Sequence, residues 1–546
     1  MLFVACNQNP TVEVSNLPEI IVPQLPDHGD AEELIGQLGC YSCHSGLSLE
    51  NTIMQKAPNL TRAGKRYRPG YLFNYLQNPT RVRNHIGVSR MPDFGFSASE
   101  SLALTLYLSN ESGGTHEVLE EIMIPEASSN PEKGEEMFNK LSCTVCHSIN
   151  EGGNPVVSDL SYSGSKLYRD WTVQFLAAPH KFQGNENVMP SFFYNEASIE
   201  IFENSGVALS WVTDFLMDSS NDSLSIAYSS FKEQSSVTAS QGKRIFESQN
   251  CAACHKSSIQ PKSHVSAPDL KDESKRVNKD WFQRYLANPE PIRPFGYPAG
   301  AGNRMPDFKL SKTEIDQITS FLYKDEVLPS VTFANLSAFK LKKTESILIN
   351  KLSCTGCHIL GDGGGRIGPN LNEVSLRLKY SYLHDVIKNP HKTDSMTMMP
   401  TPVLTEDRIS DLISTLNQNQ WPAIESNYLS LIDHEPVDIE LLSGSGYQYQ
   451  RFCAACHGVT GNGDGYNAGY LIKPPTAHND PGVMSQRPDD TLFDGIYVGG
   501  FILNKSHQMP GWGQTLTTTE IRNLVDYMRN LCNCKGPDWA NNGHEK

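Results

Sequence analysis

Five times in 546 residues the sequence repeats Cys-x-x-Cys-His. The copies are Cys40-Tyr-Ser-Cys43-His44, Cys143-Thr-Val-Cys146-His147, Cys251-Ala-Ala-Cys254-His255, Cys354-Thr-Gly-Cys357-His358 and Cys453-Ala-Ala-Cys456-His457. They start 103, 108, 103 and 99 residues apart. A period near 100 residues is too long for a solenoid unit and suits a small independent domain, so the chain reads as five domains in tandem. A zinc site would draw four ligands from two neighbouring pairs, and a thioredoxin-like pair would sit in a βαβ context; neither pattern is present. The spacing instead fits covalent haem attachment. Two thiols three positions apart in a helical turn reach the two vinyl groups of one haem, and the adjacent His lies under the iron.

Each copy is preceded by a short helical pattern, as in 131–138 and 240–246. Gly134, Gly242 and Gly444 stand nine residues before the first Cys of their motif, where a glycine permits another helix to approach closely. Each repeat is expected to close with a Ser/Thr-started helix, over 97–108, within 207–217, and over 311–323, 405–416 and 517–528. Ser311 and Glu314 have capping-box spacing. Asn-Pro stops the intervening helical stretches at 71–76 and 281–286. A Met-Pro pair recurs once per motif, at Met91, Met189, Met305, Met399 and Met509, 41 to 52 residues after the motif histidine. One such Met would be ordinary packing. Five, one per motif, point to a thioether as the second axial ligand, on a loop stiffened by the following proline. In the fourth repeat Met396, Met398 and Met399 compete, and Met399 is chosen because Pro400 follows it.

Together these features resemble class I, cytochrome c-like domains over most of the chain. The resemblance implies an all-α fold: a tandem array of five small helical domains at 28–112, 130–220, 236–326, 340–422 and 440–535, with an N-terminal tether at 1–27 and a tail at 536–546. It implies five haem c groups, with iron held by His44, His147, His255, His358 and His457 and by the five methionines. It also implies that a loop proline offers its carbonyl to the histidine. Pro58, Pro268, Pro369 and Pro474 match, while in the second repeat Ser158 stands where proline would align, with Pro155 as a substitute. Repeats one and three are most alike, sharing Arg-Met-Pro-Asp-Phe at 90–94 and 304–308. The run 456–465 of repeat five is similar to single-haem cytochromes attached to respiratory complexes and oxidases.

A formal net charge of -15 argues against a nucleic-acid partner, and no apolar run reaches the roughly 18 residues of a membrane span. The expected partners are redox proteins, a donor and an acceptor, with a place in a larger membrane complex as a further expectation. Because c-type haem is attached outside the cytoplasm, an export signal is expected. Residues 3–6, Phe-Val-Ala-Cys, resemble a bacterial lipobox, with Cys6 lipidated and the protein held on the periplasmic or cell-surface side of a membrane. Cys532 and Cys534 leave a mutual disulfide, a partner contact and free thiols all open. Electron transfer is the leading function. Its rival is a respiratory or peroxidase-type enzyme subunit with one open haem, in repeat two or four, and a conductive filament ranks last.

Overall fold

Helix signals in the sequence translate directly into helices in the computed structural model. It describes residues 31–45, 57–81, 87, 89–111, 128–183, 189–219, 222–260, 267–297, 299–326, 333–419, 421–422, 424, 426–434 and 443–540. Cys6 lies outside these residues. The architecture is all-α; among the described residues the strands form two two-residue hairpins, β1 (Ser148–Ile149) with β2 (Gly152–Gly153) and β3 (Ile359–Leu360) with β4 (Gly363–Gly364). The chain divides into two units, Met1–Ser42 with Ser48–Ser263 and Pro306–Lys309, and Cys43–Leu47 with His264–Met305 and Leu310–Lys546.

The first unit contains α1 (Ala31–Leu38), α2 (Pro69–Gln77), α3 (Ala98–Asn110), α4 (Pro131–Lys140), α5 (Arg169–Ala177), α6 (Ser205–Asp218), α7 (Asp222–Glu233) and α8 (Ala239–Ser248). Reciprocal capping boxes start α3, through Ser97 and Glu100, and α8, through Thr238 and Gln241. α4 crosses α6 at Gly134, where a β-carbon would stand 2.1 Å from the Trp211 carbonyl oxygen. α8 makes the same crossing at Gly242, 1.9 Å from the Ala103 oxygen. Its partner is α3, the closing helix of repeat one. Around the first crossing, Phe138, Leu141, Leu209 and Val212 are buried in one apolar cluster. Between the second and third expected domains lies α7, whose Tyr228 and Phe231 rings pack on Phe73 of α2.

The second unit contains α9 (Lys279–Ala287), α10 (Lys312–Leu322), α11 (Ala338–Asn350), α12 (Tyr380–Lys388), α13 (Glu406–Gln418), α14 (Gly444–Phe452), α15 (Asp489–Val498) and α16 (Thr518–Cys532). Capping boxes start α10 and α16. On α13, Ile409, Leu412, Ile413 and Leu416 form a buried stripe at helical spacing. Gly444 differs from the expected crossing glycine: nothing lies within 4 Å of its β-position, and its φ of +60° starts α14 in the left-handed region.

One mini-ladder recurs in both units. In the first, Arg68 N–H donates to Lys166 O and Tyr168 N–H to Arg66 O, flanking a Tyr67–Leu167 bridge. In the second, Asn278 N–H donates to Arg377 O and Lys379 N–H to Arg276 O, flanking Val277–Leu378. Repeat one is thereby tied to two, and three to four, by the same backbone device.

Candidate functional site

The site begins as a single helical turn. His147, His255, His358 and His457 each donate their backbone N–H to the carbonyl of the first cysteine of the motif, at 2.9–3.0 Å. That bond holds the two thiols and the imidazole together on one short turn.

Beyond the turn, every motif histidine places Nδ1 against a backbone carbonyl. His44 lies 2.8 Å from Pro268 O, His147 2.8 Å from Ser158 O, His255 3.0 Å from Pro58 O, His358 2.7 Å from Pro369 O and His457 2.9 Å from Thr476 O. A carbonyl only accepts, so Nδ1 carries the hydrogen and the lone pair falls on Nε2, the tautomer an iron ligand needs. Burial lowers the pKa of His44, His147, His358 and His457, favouring the neutral ring.

Four of the expected carbonyl partners are corrected. Pro58 and Pro268 serve each other's repeat, and Thr476 takes the place of Pro474. In repeat two the acceptor is Ser158 itself, not Pro155. The role belongs to a backbone oxygen, which every residue type supplies, so residue identity is a weak guide to it.

Cys143, Cys146, Cys354, Cys357, Cys453 and Cys456 form no disulfide. Burial pushes Cys143 and Cys453 up to about 12 and Cys354 to about 11. Redox-active Cys-x-x-Cys pairs have depressed values instead, so these thiols are not poised for disulfide exchange. Cys532 and Cys534 are different: they form a disulfide at the end of α16.

Buried cations complete the fit to a haem. Among the described residues, Arg66 Nε and Arg377 Nε are buried without a hydrogen-bond partner. Arg66 is gripped between the Tyr67 and Trp171 rings, 4.8 and 4.5 Å from their centroids. Arg377 is desolvated enough to lower its pKa to about 10, and its charge, with that of Arg293, acts on His358. Orphaned guanidinium donors suit the carboxylates of haem propionates, and Arg377 has one whose charge acts on a motif histidine. Arg66, Lys166, Arg276 and Arg377 each precede the bridge residue of the mini-ladder. This period of about 100 residues is the signal that could have found them.

Four of the five motifs also lie in pairs, the fourth with the fifth and the first with the third. In the second unit the Asn467 amide donates to Gly356 O, inside the fourth motif, at 2.9 Å, and to Cys456 Sγ of the fifth at 3.4 Å. Phe295, Ile367 and Ala455 form an apolar cluster against which Cys357, Cys456 and Met398 pack. Met398 is thus committed to this cluster, while Met399 has its N–H on Thr397 Oγ1 at 3.2 Å. In the first unit Asn250 Nδ2 donates to Ser42 O at 3.2 Å, and Cys254 Sγ lies 3.8 Å from Ser42 Oγ. Elsewhere Met189 packs against the core of repeat two, and Tyr428 Oη approaches Met305 O at 3.5 Å. Met509 O accepts from Gly500 N–H at 3.1 Å, and Met91 lies two residues before the Asp93–Asp307 bridge. Sequence reasoning passed over His478. It is buried, stacks on the His457 ring with centroids 4.0 Å apart, and has Nδ1 2.9 Å from the Tyr449 hydroxyl.

Two stretches match known families. Residues 239–324 match cytochrome c, and residues 445–528 match cytochrome C oxidase, cbb3-type, subunit III. No curated protein and no solved structure matches the chain. The two matches support a multidomain c-type cytochrome: two cytochrome c domains, covalently bound haem c with its iron, and haem-based electron transfer.

Proposed function

We propose that the chain relays electrons between a donor and an acceptor protein through five covalently attached haems, one per Cys-x-x-Cys-His motif. The observation that carries this reading is the fivefold recurrence of a motif imidazole fixed through Nδ1 by a backbone carbonyl at 2.7–3.0 Å. Haem iron supplies reversible one-electron chemistry when bound. The chain's own contribution is to attach, orient and desolvate it. The motif thiols anchor the ring, the carbonyls set the imidazole tautomer, and the buried arginines offset propionate charge. Met91, Met189, Met305, Met399 and Met509 are proposed as sixth ligands, which leaves no position for substrate and favours a carrier over a peroxidase-type subunit. Close packing of the fourth and fifth motifs supports direct electron exchange between their haems. Repeat five, with its oxidase-subunit likeness, is proposed as the end that meets a partner. Residence on the periplasmic or cell-surface side of a membrane, held by a lipidated Cys6, completes the reading.

Intact mass and the pyridine haemochrome of the purified protein test it together. Five haems per chain are expected, all low-spin, with the weak near-infrared band of methionine sulfur on ferric iron. A count below five, or a high-spin fraction that binds carbon monoxide, overturns the five-carrier reading.

A further inference from the structure

The exchanged carbonyls of repeats one and three belong to a larger pattern. In repeats two and four the motif and its loop are joined by two bonds within the repeat. Histidine Nδ1 meets a carbonyl, and the N–H two residues later returns to the carbonyl of the residue after the histidine. Repeat two has Leu160 N–H on Ser148 O at 2.9 Å, and repeat four has Leu371 N–H on Ile359 O at 3.0 Å. Repeats one and three have the same pair of bonds with the partners traded. Leu60 N–H donates to Lys256 O at 2.8 Å in the first unit, and Leu270 N–H donates to Ser45 O at 3.1 Å in the second. Ser45 Oγ adds a bond to Asp269 at 2.7 Å.

Packing follows the trade. α8 of repeat three crosses α3 of repeat one at Gly242, as α4 crosses α6 within repeat two. Phe246 lies against Tyr107, ring centroids 5.4 Å apart. His255, Pro58 and Met91 therefore belong to the first unit, and His44, Pro268 and Met305 to the second.

Resting on the haem reading above, we propose that the exchange extends to the sixth ligand. Met91 ligates the haem attached at Cys251 and Cys254, and Met305 the haem attached at Cys40 and Cys43. Each methionine lies on the same chain segment as its carbonyl, 33 residues after Pro58 and 37 after Pro268. It travels with that segment. The shared Arg-Met-Pro-Asp-Phe gives each motif an equivalent loop in the other repeat, the condition under which identical elements swap at little cost. Backbone pairing next to the methionines fits the intertwined arrangement: Asp93 and Asp307 exchange both N–H···O bonds at 2.7–2.8 Å, and Arg90 Nε donates to Phe308 O at 2.6 Å.

The test uses the full chain carrying C251A and C254A, which removes the third attachment. Haem content is measured first. Five haems in the parent and four in this background uphold the haem reading, and other counts overturn that reading rather than the exchange. Met91→Leu and Met305→Leu are then compared by the near-infrared sulfur band and the high-spin electron paramagnetic signal. Exchange predicts that Met305→Leu removes one haem's share of the band, about a quarter, and creates one high-spin haem, while Met91→Leu changes neither. The opposite result, or equal effects of the two, overturns it. The pair Leu60→Cys with Lys256→Cys in the otherwise native chain gives an answer independent of haem. A cross-link between repeats one and three is expected on oxidation, and its absence in folded protein rejects the exchange.

Discussion

At the level of single residues, the site is governed by groups whose importance comes from surroundings rather than type. Arg377 is the clearest. It is buried, its Nε has no partner among the described residues, and its charge acts on His358. A fixed positive charge beside a haem favours the ferrous state, so Arg377→Gln is expected to lower the potential of the fourth haem. A lost hydrogen bond is worth about 0.5–1.5 kcal/mol, which for one electron is on the order of 20–65 mV. Arg377→Lys keeps the charge and should shift the potential less. Potentiometric titration reads both, and an unchanged titration in Arg377→Gln would remove the arginine from the haem's environment. The helical turns that carry the motif cysteines and histidines were legible, because their spacing is local. The carbonyls of Ser158 and Thr476 were not, since any residue offers one.

At the level of elements, equal positions in the sequence acquire unequal roles. Gly134, Gly242 and Gly444 all stand nine residues before a motif, yet only the first two are helix crossings. At Gly134 a β-carbon would meet backbone at 2.1 Å, so neither helix can yield by a side-chain rotation. Gly134→Ala is expected to cost about 1–3 kcal/mol, as overpacking of a tight contact does. Gly444→Ala has open space and loses only the left-handed preference, about 1–2 kcal/mol. Because a chain of several domains does not melt as one, hydrogen exchange is the suitable measurement. Peptides from both α4 and α6 should lose protection in Gly134→Ala, whereas in Gly444→Ala the change should stay near the start of α14. Equal protection of α6 in the parent and Gly134→Ala would mean the crossing tolerates a methyl group. Helix starts were legible because a capping box is local. α7 was not, because its serine-rich sequence hides an apolar face that has meaning only against Phe73.

At the level of the whole molecule, the repeats are alike enough to trade parts and unlike enough to divide labour. The partner of a motif is chosen by surface, and repeats one and three present the same signature, so no sequence pattern distinguishes a repeat that closes on itself from one that closes on its twin. The fourth and fifth motifs show a different kind of joining, in which two attachment turns share one buried cluster and one bridging asparagine. On the five-haem proposal, haems attached at these two turns would not titrate independently, because oxidising one places a positive charge beside the other in a medium of low effective dielectric. Removing the fifth haem by C453A and C456A should therefore shift the potential of the fourth by some tens of millivolts while leaving the second unchanged. Titration of the four-haem variant against the parent measures this directly. If the fourth potential does not move, the shared cluster insulates the haems instead of coupling them, and electrons would have to reach repeat five by another route.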